Sequence, residues 1–347
     1  MRISGSKRIC LLPRLSGVGG MVSFQQRLAA GLNRRGIAVC YELADLPYAA
    51  VLVVGGTRQL RGLWRLRRGG VPIVQRLDGM NWLHRLQPTG LRHRLRAEYG
   101  NTLLALIRSR LADRIVYQSE FARGWWERVH GPSPVPSSVV YNGVDLELFN
   151  PAGPHQRPDD LFRLLMVEGS LMGGYELGLE AAEAMGALLA ERLKAGRRKV
   201  ELVVVGCVAP QVSERWVGRS RLPLRWMGQV LPERIPEIDR SAHLLYSADL
   251  NAACPNSVIE AMACGLPVVA FDTGALPELV TDGAGRVVPY GGDPWRLDPP
   301  DVAALAEAAL EVLADQDGYR LAARRRAEAA FSLDEMVDGY LQVLLAG

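Results

Sequence analysis

Little in this sequence is suited to binding metal or to forming disulfides. The five cysteines (Cys10, Cys40, Cys207, Cys254 and Cys264) are an odd set with no CxxC pair. That spacing excludes a zinc ribbon and a disulfide framework, and it points to a reduced, cytoplasmic compartment with mostly buried thiols. Long apolar runs are missing too. Stretches such as VELVVVGCVA and MACGLPVVAF stop well short of the roughly 20 residues a membrane-spanning helix needs. The apolar part of MRISGSKRICLLPRLSG is too short for a signal peptide. Short repeats and low-complexity tracts are absent, the nearest approach being RQLRGLWRLRR at 58–68. Lysine is scarce, with 3 against 38 arginines. No nucleic-acid-binding motif accompanies those arginines, so no nucleic-acid partner is expected.

The composition that is present, 48% hydrophobic and 22% charged over 347 residues, suits two ordinary globular domains. Charge divides the chain in the same way. Residues 1–150 hold 22 basic and 9 acidic side chains, and residues 151–347 hold 19 and 28. A basic half and an acidic half imply different partners, one of them anionic. Short apolar runs alternate with helix-period stretches in both halves. Strands are predicted at Ile9–Leu12, Val39–Leu43, Val51–Val54, Ile73–Gln75, Arg114–Tyr117 and Ser138–Tyr141, with helices near Val22–Arg35 and Thr102–Arg110. After the proline-rich NPAGPHQRPDD (150–160) the pattern restarts, with strands at Phe162–Val167, Val200–Val205, Arg225–Met227, His243–Tyr246 and Val268–Phe271. Helices are predicted over about Tyr175–Lys194, after Ser257 and after Pro300. Such alternation gives an α/β chain with two doubly wound parallel sheets, whose ligands bind at the carboxyl ends of the strands.

Two segments carry chemistry. SGVGG (16–20) joins a predicted strand to a helix, where glycines let a ligand approach the backbone and the helix N-terminus favours an anion. It is two-thirds of a dinucleotide fingerprint, with Val22 at the third glycine and Glu42 near the second strand's end. A ligand loop and a plain tight turn fit it equally. CPNSVIEAMACGLPVVAF (254–271) places Asn256 or Ser257 as the cap of a helix that carries Glu260 one turn inside. Its first amides suit a diphosphate, and Glu260 suits a vicinal diol such as ribose. The plainer alternative is a surface glutamate on a capped helix. Asp78 and His84 follow the Ile73–Gln75 strand, where a catalytic loop belongs, although a lone histidine is more often structural. His243 lies in an apolar run and reads as core. DQD (315–317) has the spacing of a metal-binding DxD, but it ends the helix-period run AALAEAALEVLAD and reads as a solvated helix end.

Taken in order, GVGG (17–20), ADRIVYQSEF (112–121), VVYNGVDLELFNP (139–151), RWMGQV (225–230), CPNSVIEAMACGLPVVAFDTGALPELV (254–280) and DGAGRVVP (282–289) resemble the retaining glycosyltransferases of family four, which have the GT-B fold. The resemblance implies two Rossmann-like domains facing a cleft: 1–150 on the acceptor side, 151–332 for the donor, and a helix at 333–347 crossing back to the first. It implies a nucleotide-sugar donor and a glycan, lipid-linked or small-molecule acceptor, with no cofactor and no metal. Glu260 matches the ribose-binding glutamate, and Asn256, Ser257 and Val258 the diphosphate segment. Gly228 and Val230 match the turn beside the base, and Gly19 and Gly20 the first-domain loop. Asp78 and His84 are the candidates for catalysis.

Two positions depart from the family pattern. The glutamate usual eight residues before Glu260, which contacts the donor sugar, is Ala252 here. The usual Arg and Lys after the second domain's first strand are absent from VEGSLMGGYELG (167–178). Backbone amides of Gly169, Gly173 and Gly174 can replace them, or an arginine such as Arg14 can. The departures keep open a catalytically lapsed nucleotide-sugar-binding protein, and GVGG with Glu42 keeps open an NAD-dependent oxidoreductase. The basic half, with Trp64 and Leu95 among Arg58–Arg68 and Arg92–Arg96, suits a peripheral anionic membrane surface. A solvated arginine-rich face fits equally.

Overall fold

The computed structural model describes residues 8–17, 19–87, 90–171, 176–196 and 198–346. The chain divides into two compact units, Met1–Gly143 with Leu333–Gly347, and Val144–Ser332.

The first unit runs β1 (Arg8–Leu12), α1 (Gly20–Arg34), β2 (Ala38–Cys40), β3 (Ala50–Val54), α2 (Leu60–Arg68), β4 (Ile73–Leu77), α3 (Leu91–Arg110), β5 (Arg114–Tyr117), α4 (Glu120–His130) and β6 (Ser137–Val139). All pairings are parallel, in the order β2-β1-β3-β4-β5-β6. Strand residues alternate between faces. Ile9, Leu11, Leu52 and Val54 enter one core layer, and Cys10, Leu12, Val51 and Val53 the other. Burial on both sides explains why these strands read as unbroken apolar runs.

In the second unit β7 (Leu161–Ser170), α5 (Glu176–Arg192), β8 (Lys199–Cys207), α6 (Pro210–Trp216), β9 (Leu224–Gly228), α7 (Ile235–Ser241), β10 (Leu244–Tyr246), α8 (Asn256–Ala263), β11 (Val268–Phe271), α9 (Leu276–Leu279), β12 (Gly285–Val288), α10 (Val302–Ala314) and α11 (Gln316–Ala330) follow. The sheet is again wholly parallel, ordered β12-β11-β10-β7-β8-β9. His243 is buried, with its ring edge-on to Phe162 at 5.2 Å. Desolvation, aided by Arg157 and other arginines, brings its pKa down to about 4. The ring is therefore neutral near pH 7, and Nδ1 accepts the Arg163 backbone N–H at 3.0 Å.

The units part at Gly143/Val144, seven residues ahead of the proline-rich boundary that the sequence suggests. Two guanidiniums, one buried (Arg240) and one half-buried (Arg324), explain the shift. Arg324 donates to the carbonyls of Phe149 and Ala263 at 2.8 Å each, and Arg240 to that of Asn150 at 3.0 Å. Residues 144–150 are thereby stitched to the second unit despite their irregular backbone. Helices also differ from expectation. The arginine-rich 58–68 stretch is mostly the helix α2, with Leu63 as its buried residue. α3 begins at Leu91 rather than near Thr102, and α4 is an additional helix capped by Ser119. Four of the five free cysteines are buried, Cys207 being exposed. Among the described residues no helix is long and apolar enough to cross a membrane.

The last helix, α12 (Leu333–Leu345), belongs to the first unit. Leu333, Met336, Val337, Tyr340 and Leu344 share one face, at helical spacing, and enter the core beside Phe24, Leu28 and Leu32 of α1. Burying each such side chain contributes about 1.5–3 kcal/mol. Arg35 pairs with both Asp334 and Asp338 at 3.0 Å and fixes the register. α1 approaches closely because it has a glycine at the crossing, where a Cβ on Gly31 would sit 2.4 Å from Val337 Cγ2. Gly31→Ala should therefore destabilise the protein by about 1–3 kcal/mol through overpacking. Adding Val337→Ala should recover part of that loss in urea unfolding, and strict additivity of the two changes would contradict the contact.

Candidate functional site

Where the strand order reverses, the loops after the two central strands diverge and leave a crevice. In the second unit the reversal lies between β7 and β10, paired through Leu164↔Leu244 and Leu165↔Leu245. Glu168 and Gly169 end β7, and residues 247–255 lead from β10 into α8. Glu168 lies close to the β10 loop, beside the Ala248 backbone. Desolvation, then the charge of Asp249, raises its pKa well above the carboxylate range. Burial pushes Asp249 up to about 6. Both residues remain half-buried, as groups lining a crevice do.

α8 begins at Asn256, with Pro255 in the cap position and no side chain capping it. This corrects the expectation that Asn256 or Ser257 is the cap, since both already lie inside the first turn. The fixed φ of proline sets the entry, and the amides of Asn256, Ser257 and Val258 open the helix after a cap residue that has no side-chain oxygen to offer. Glu260, one turn in, is only 9% exposed. The sequence therefore yields a buried carboxylate rather than a surface one. Behind it, Asp239 of α7 is buried beside the Cys264 thiol. Desolvation first, then the charge of Glu260, holds its pKa well above the ordinary value.

Gly228 ends β9 at φ 64° beside a register shift against β8, and Val230 follows it, half-buried. Parallel pairing brings both to the same edge of the sheet as Gly169 and α8. Gly169 is exposed beside the irregularity between β7 and β8. Gly173 and Gly174 lie outside the described residues. Of DQD, Asp315 closes α10 and caps α11, its carboxylate accepting the Gly318 N–H at 3.1 Å.

In the first unit the corresponding reversal lies between β1 and β3. Gly19 caps α1 at φ 133°, and Gly20 is the first helical residue. No atom lies within 4 Å of where a Gly19 Cβ would be, so conformation rather than space demands glycine there. Gln25, a residue the sequence reading overlooked, braces this loop. Its Oε1 accepts the Leu15 N–H at 2.9 Å and its Nε2 donates to the Pro13 carbonyl at 2.8 Å. Asp78 and His84 both follow β4, but no hydrogen bond joins them among the described residues. The Asp78 carbonyl accepts Trp126 Nε1–H at 2.7 Å. Its carboxyl is raised by desolvation, against the pull of Arg76. His84 is buried, with Nε2 2.9 Å from Glu98 Oε1, and Arg85 grips the same carboxylate. Those partners, Arg85 first, lower Glu98 to about 2. The ring of His84 is thus tied into an ion-pair cluster.

Comparison with known proteins identifies this arrangement. The family model for glycosyl transferases group 1 matches residues 177–315. The second unit belongs to that family. A phosphatidyl-myo-inositol mannosyltransferase of Mycobacterium tuberculosis is 32% identical over 213 residues, 56% of this chain and 49% of the relative. A D-inositol 3-phosphate glycosyltransferase of Geodermatophilus obscurus is 30% identical over 249 residues, 68% of this chain and 53% of the relative. The chain thus spans about half the length of these curated relatives. Among solved structures, sucrose-phosphate synthase from Thermosynechococcus elongatus superposes with a TM-score of 0.74 at 18% identity, covering 98% of this chain and all of the other. Anabaena HepE in complex with UDP-glucose gives 0.67 at 16%, covering 98% and 100%. The fold is GT-B, with two Rossmann-like units. None of these matches supports the oxidoreductase alternative.

The buried carboxyl behind Glu260 gives a pH signature. Asp239 keeps its proton in the folded chain at pH values where the unfolded chain, with a carboxyl near 3.9, has lost it. Folding then takes up a proton, so this group's contribution to stability falls as pH rises above about 4. Asp239→Asn cannot ionise. Its stability relative to the wild type should rise between pH 4 and pH 8 in urea titrations, and a pH-independent difference would contradict the assignment.

Proposed function

We propose that the chain is a retaining, metal-independent glycosyltransferase that moves a sugar from a nucleotide-diphosphate donor to an acceptor hydroxyl, in glycan, polysaccharide or glycolipid synthesis. One observation carries this reading: within the segment matched by the family, the uncapped start of α8 and the buried Glu260 stand at the crevice between β7 and β10. Glu260 takes the ribose hydroxyls, the amides of Asn256, Ser257 and Val258 take the diphosphate, and Gly228 and Val230 border the base. As the bond from the anomeric carbon to the phosphate oxygen breaks, negative charge grows on the leaving diphosphate. Preorganised amides lower that barrier. The acceptor oxygen bonds to the same face of the carbon, and its proton passes to the departing phosphate oxygen. Gly19 and Gly20 form the first unit's candidate ligand loop. Asp78 is the first unit's candidate for orienting the acceptor hydroxyl, and His84 positions its loop through Glu98.

A lapsed nucleotide-sugar-binding protein is the second reading, favoured by Ala252 and by the absence of a basic residue in 167–178. Glu260→Ala should lower UDP or GDP affinity by at least about tenfold in calorimetry, the scale of a lost charged hydrogen bond. In the same preparation a panel of UDP-, GDP- and ADP-sugars should show transfer or slow donor hydrolysis that survives EDTA. Unchanged nucleotide affinity removes Glu260 from the site, binding without turnover favours the lapsed reading, and loss of turnover in EDTA refutes metal independence.

The acceptor side of this reading includes a membrane-facing surface. Arg68 lies 4.0 Å over the ring of Trp64, and Arg58 lies 5.7 Å over that of Tyr99. Leu91 and Leu95 are 73% and 62% exposed among Arg92, Arg94 and Arg96. Apolar side chains set among arginines suit an anionic lipid surface beside a lipid-linked acceptor. Vesicles rich in phosphatidylglycerol should sediment the protein at low salt and release it at high salt. Absence of binding at low salt would leave a solvated arginine face.

A further inference from the structure

We infer that Asn251 binds the sugar of the donor, its side-chain amide serving in place of the carboxylate that is missing at Ala252; this rests on the donor-binding reading above. Asn251 lies in the loop between β10 and α8 and is 5% exposed. Its Nδ2 has no acceptor among the described residues. Burying an amide N–H without a partner is costly, and a site that keeps one in the unliganded state is prepared for an acceptor that arrives with the ligand.

The backbone gives a second, independent indication. Asn251 is one of three non-glycine residues described at positive φ, here 56°. Side chains adopt that region reluctantly, and such strain concentrates at binding sites. The strain is imposed from outside the loop. Gly274, at φ 62°, packs so tightly that a Cβ there would lie 2.5 Å from both the nitrogen and the oxygen of Ala252 and 2.7 Å from the carbonyl carbon of Asn251. The Ala275 N–H then donates to the Ala252 carbonyl at 2.8 Å. The backbone of residues 251 and 252 is thereby clamped against Gly274 and Ala275.

Chain order identifies the part of the donor concerned. Glu260 lies one turn inside α8 and the phosphate-facing amides lie at its start. The 247–255 loop leads into that start, and Asn251 directly precedes Ala252, the position where the family pattern has the carboxylate that contacts the donor sugar. The surroundings also explain why an amide occupies this position. Glu168 and Asp249 already crowd the same crevice, and each is held towards its protonated form. A further carboxylate beside them would repel both the pair and the incoming diphosphate. A neutral N–H donor bonds a sugar hydroxyl oxygen without adding charge. Ala252 and Asn251 are then one coupled change rather than a loss.

The test compares a ligand that has the sugar with one that lacks it. Calorimetry with UDP and UDP-glucose, and with GDP and GDP-mannose, is run on the wild type, Asn251→Gly and Asn251→Asp. Glycine keeps the positive φ without the amide, and aspartate keeps the shape but not the donor. Both variants should bind the free nucleoside diphosphate within about twofold of the wild type. Both should lose about tenfold or more in affinity for the matching nucleotide sugar, the scale of one hydrogen bond to a buried group. Equal affinity for the nucleotide sugar in all three proteins overturns the inference. So do parallel losses for both ligands, which indicate a purely structural role; thermal midpoints measured alongside identify a variant that has simply failed to fold. A wild type that binds neither ligand type overturns the donor-binding reading, and this inference with it.

Discussion

A parallel ladder requires a crossover between every two strands, so each β-strand of this chain is followed by a segment that climbs back over a face of its sheet. Both sheets obey this at every pairing. Two consequences follow from the one constraint. All strand carboxyl ends lie on a single edge in each unit, and helices cover both faces, so the strands are apolar throughout. Polar groups that do chemistry are left to the loops along that edge. The reversal of strand order then selects which loops diverge: those after β1 and β3 in one unit, and those after β7 and β10 in the other.

What the sequence made legible is what periodicity and punctuation encode. Strands such as Arg114–Tyr117 and Val268–Phe271 are read at their observed limits, because apolar runs mark them directly. α2 escaped notice because a helix with one buried side chain, Leu63, has almost no apolar stripe. The domain boundary was misplaced because prolines mark irregular backbone. They do not show that Arg324 and Arg240 tie that backbone to one unit. Within the site, Glu260 and the start of α8 were visible as a local string. Asn251 was not, because its importance comes from a positive φ enforced by Gly274, a residue more than twenty positions away. Asp239 was hidden for the same reason, since the carboxylate it faces sits on the next helix, about twenty residues along the chain.

The electrostatics of the second unit have a consistent character. Where a diphosphate site is commonly lined by cations, the site proposed here offers backbone amides at the start of α8, a neutral amide at Asn251, and carboxyls at Glu168, Asp249 and Asp239 that burial inclines to hold their protons. Oriented dipoles act at short range and need little reorganisation. A net acidic unit can therefore accommodate an anionic ligand, provided its carboxylates stay neutral where they face it. The arginines of this unit are spent elsewhere, as at Arg163, Arg240 and Arg324, whose guanidiniums secure backbone carbonyls.

The placement of α12 affects how the molecule is assembled. A helix that follows the second unit in the chain supplies five buried side chains to the core of the unit that precedes it. On the ribosome, residues 8–143 emerge with one face of their sheet covered by α1 alone, and they stay so while the whole second unit is synthesised and folds. The second unit is continuous in sequence and has no such debt. Completion therefore runs against the order of synthesis, and the exposed apolar face of the early unit is the point at which a chaperone, or aggregation, would act on the nascent chain.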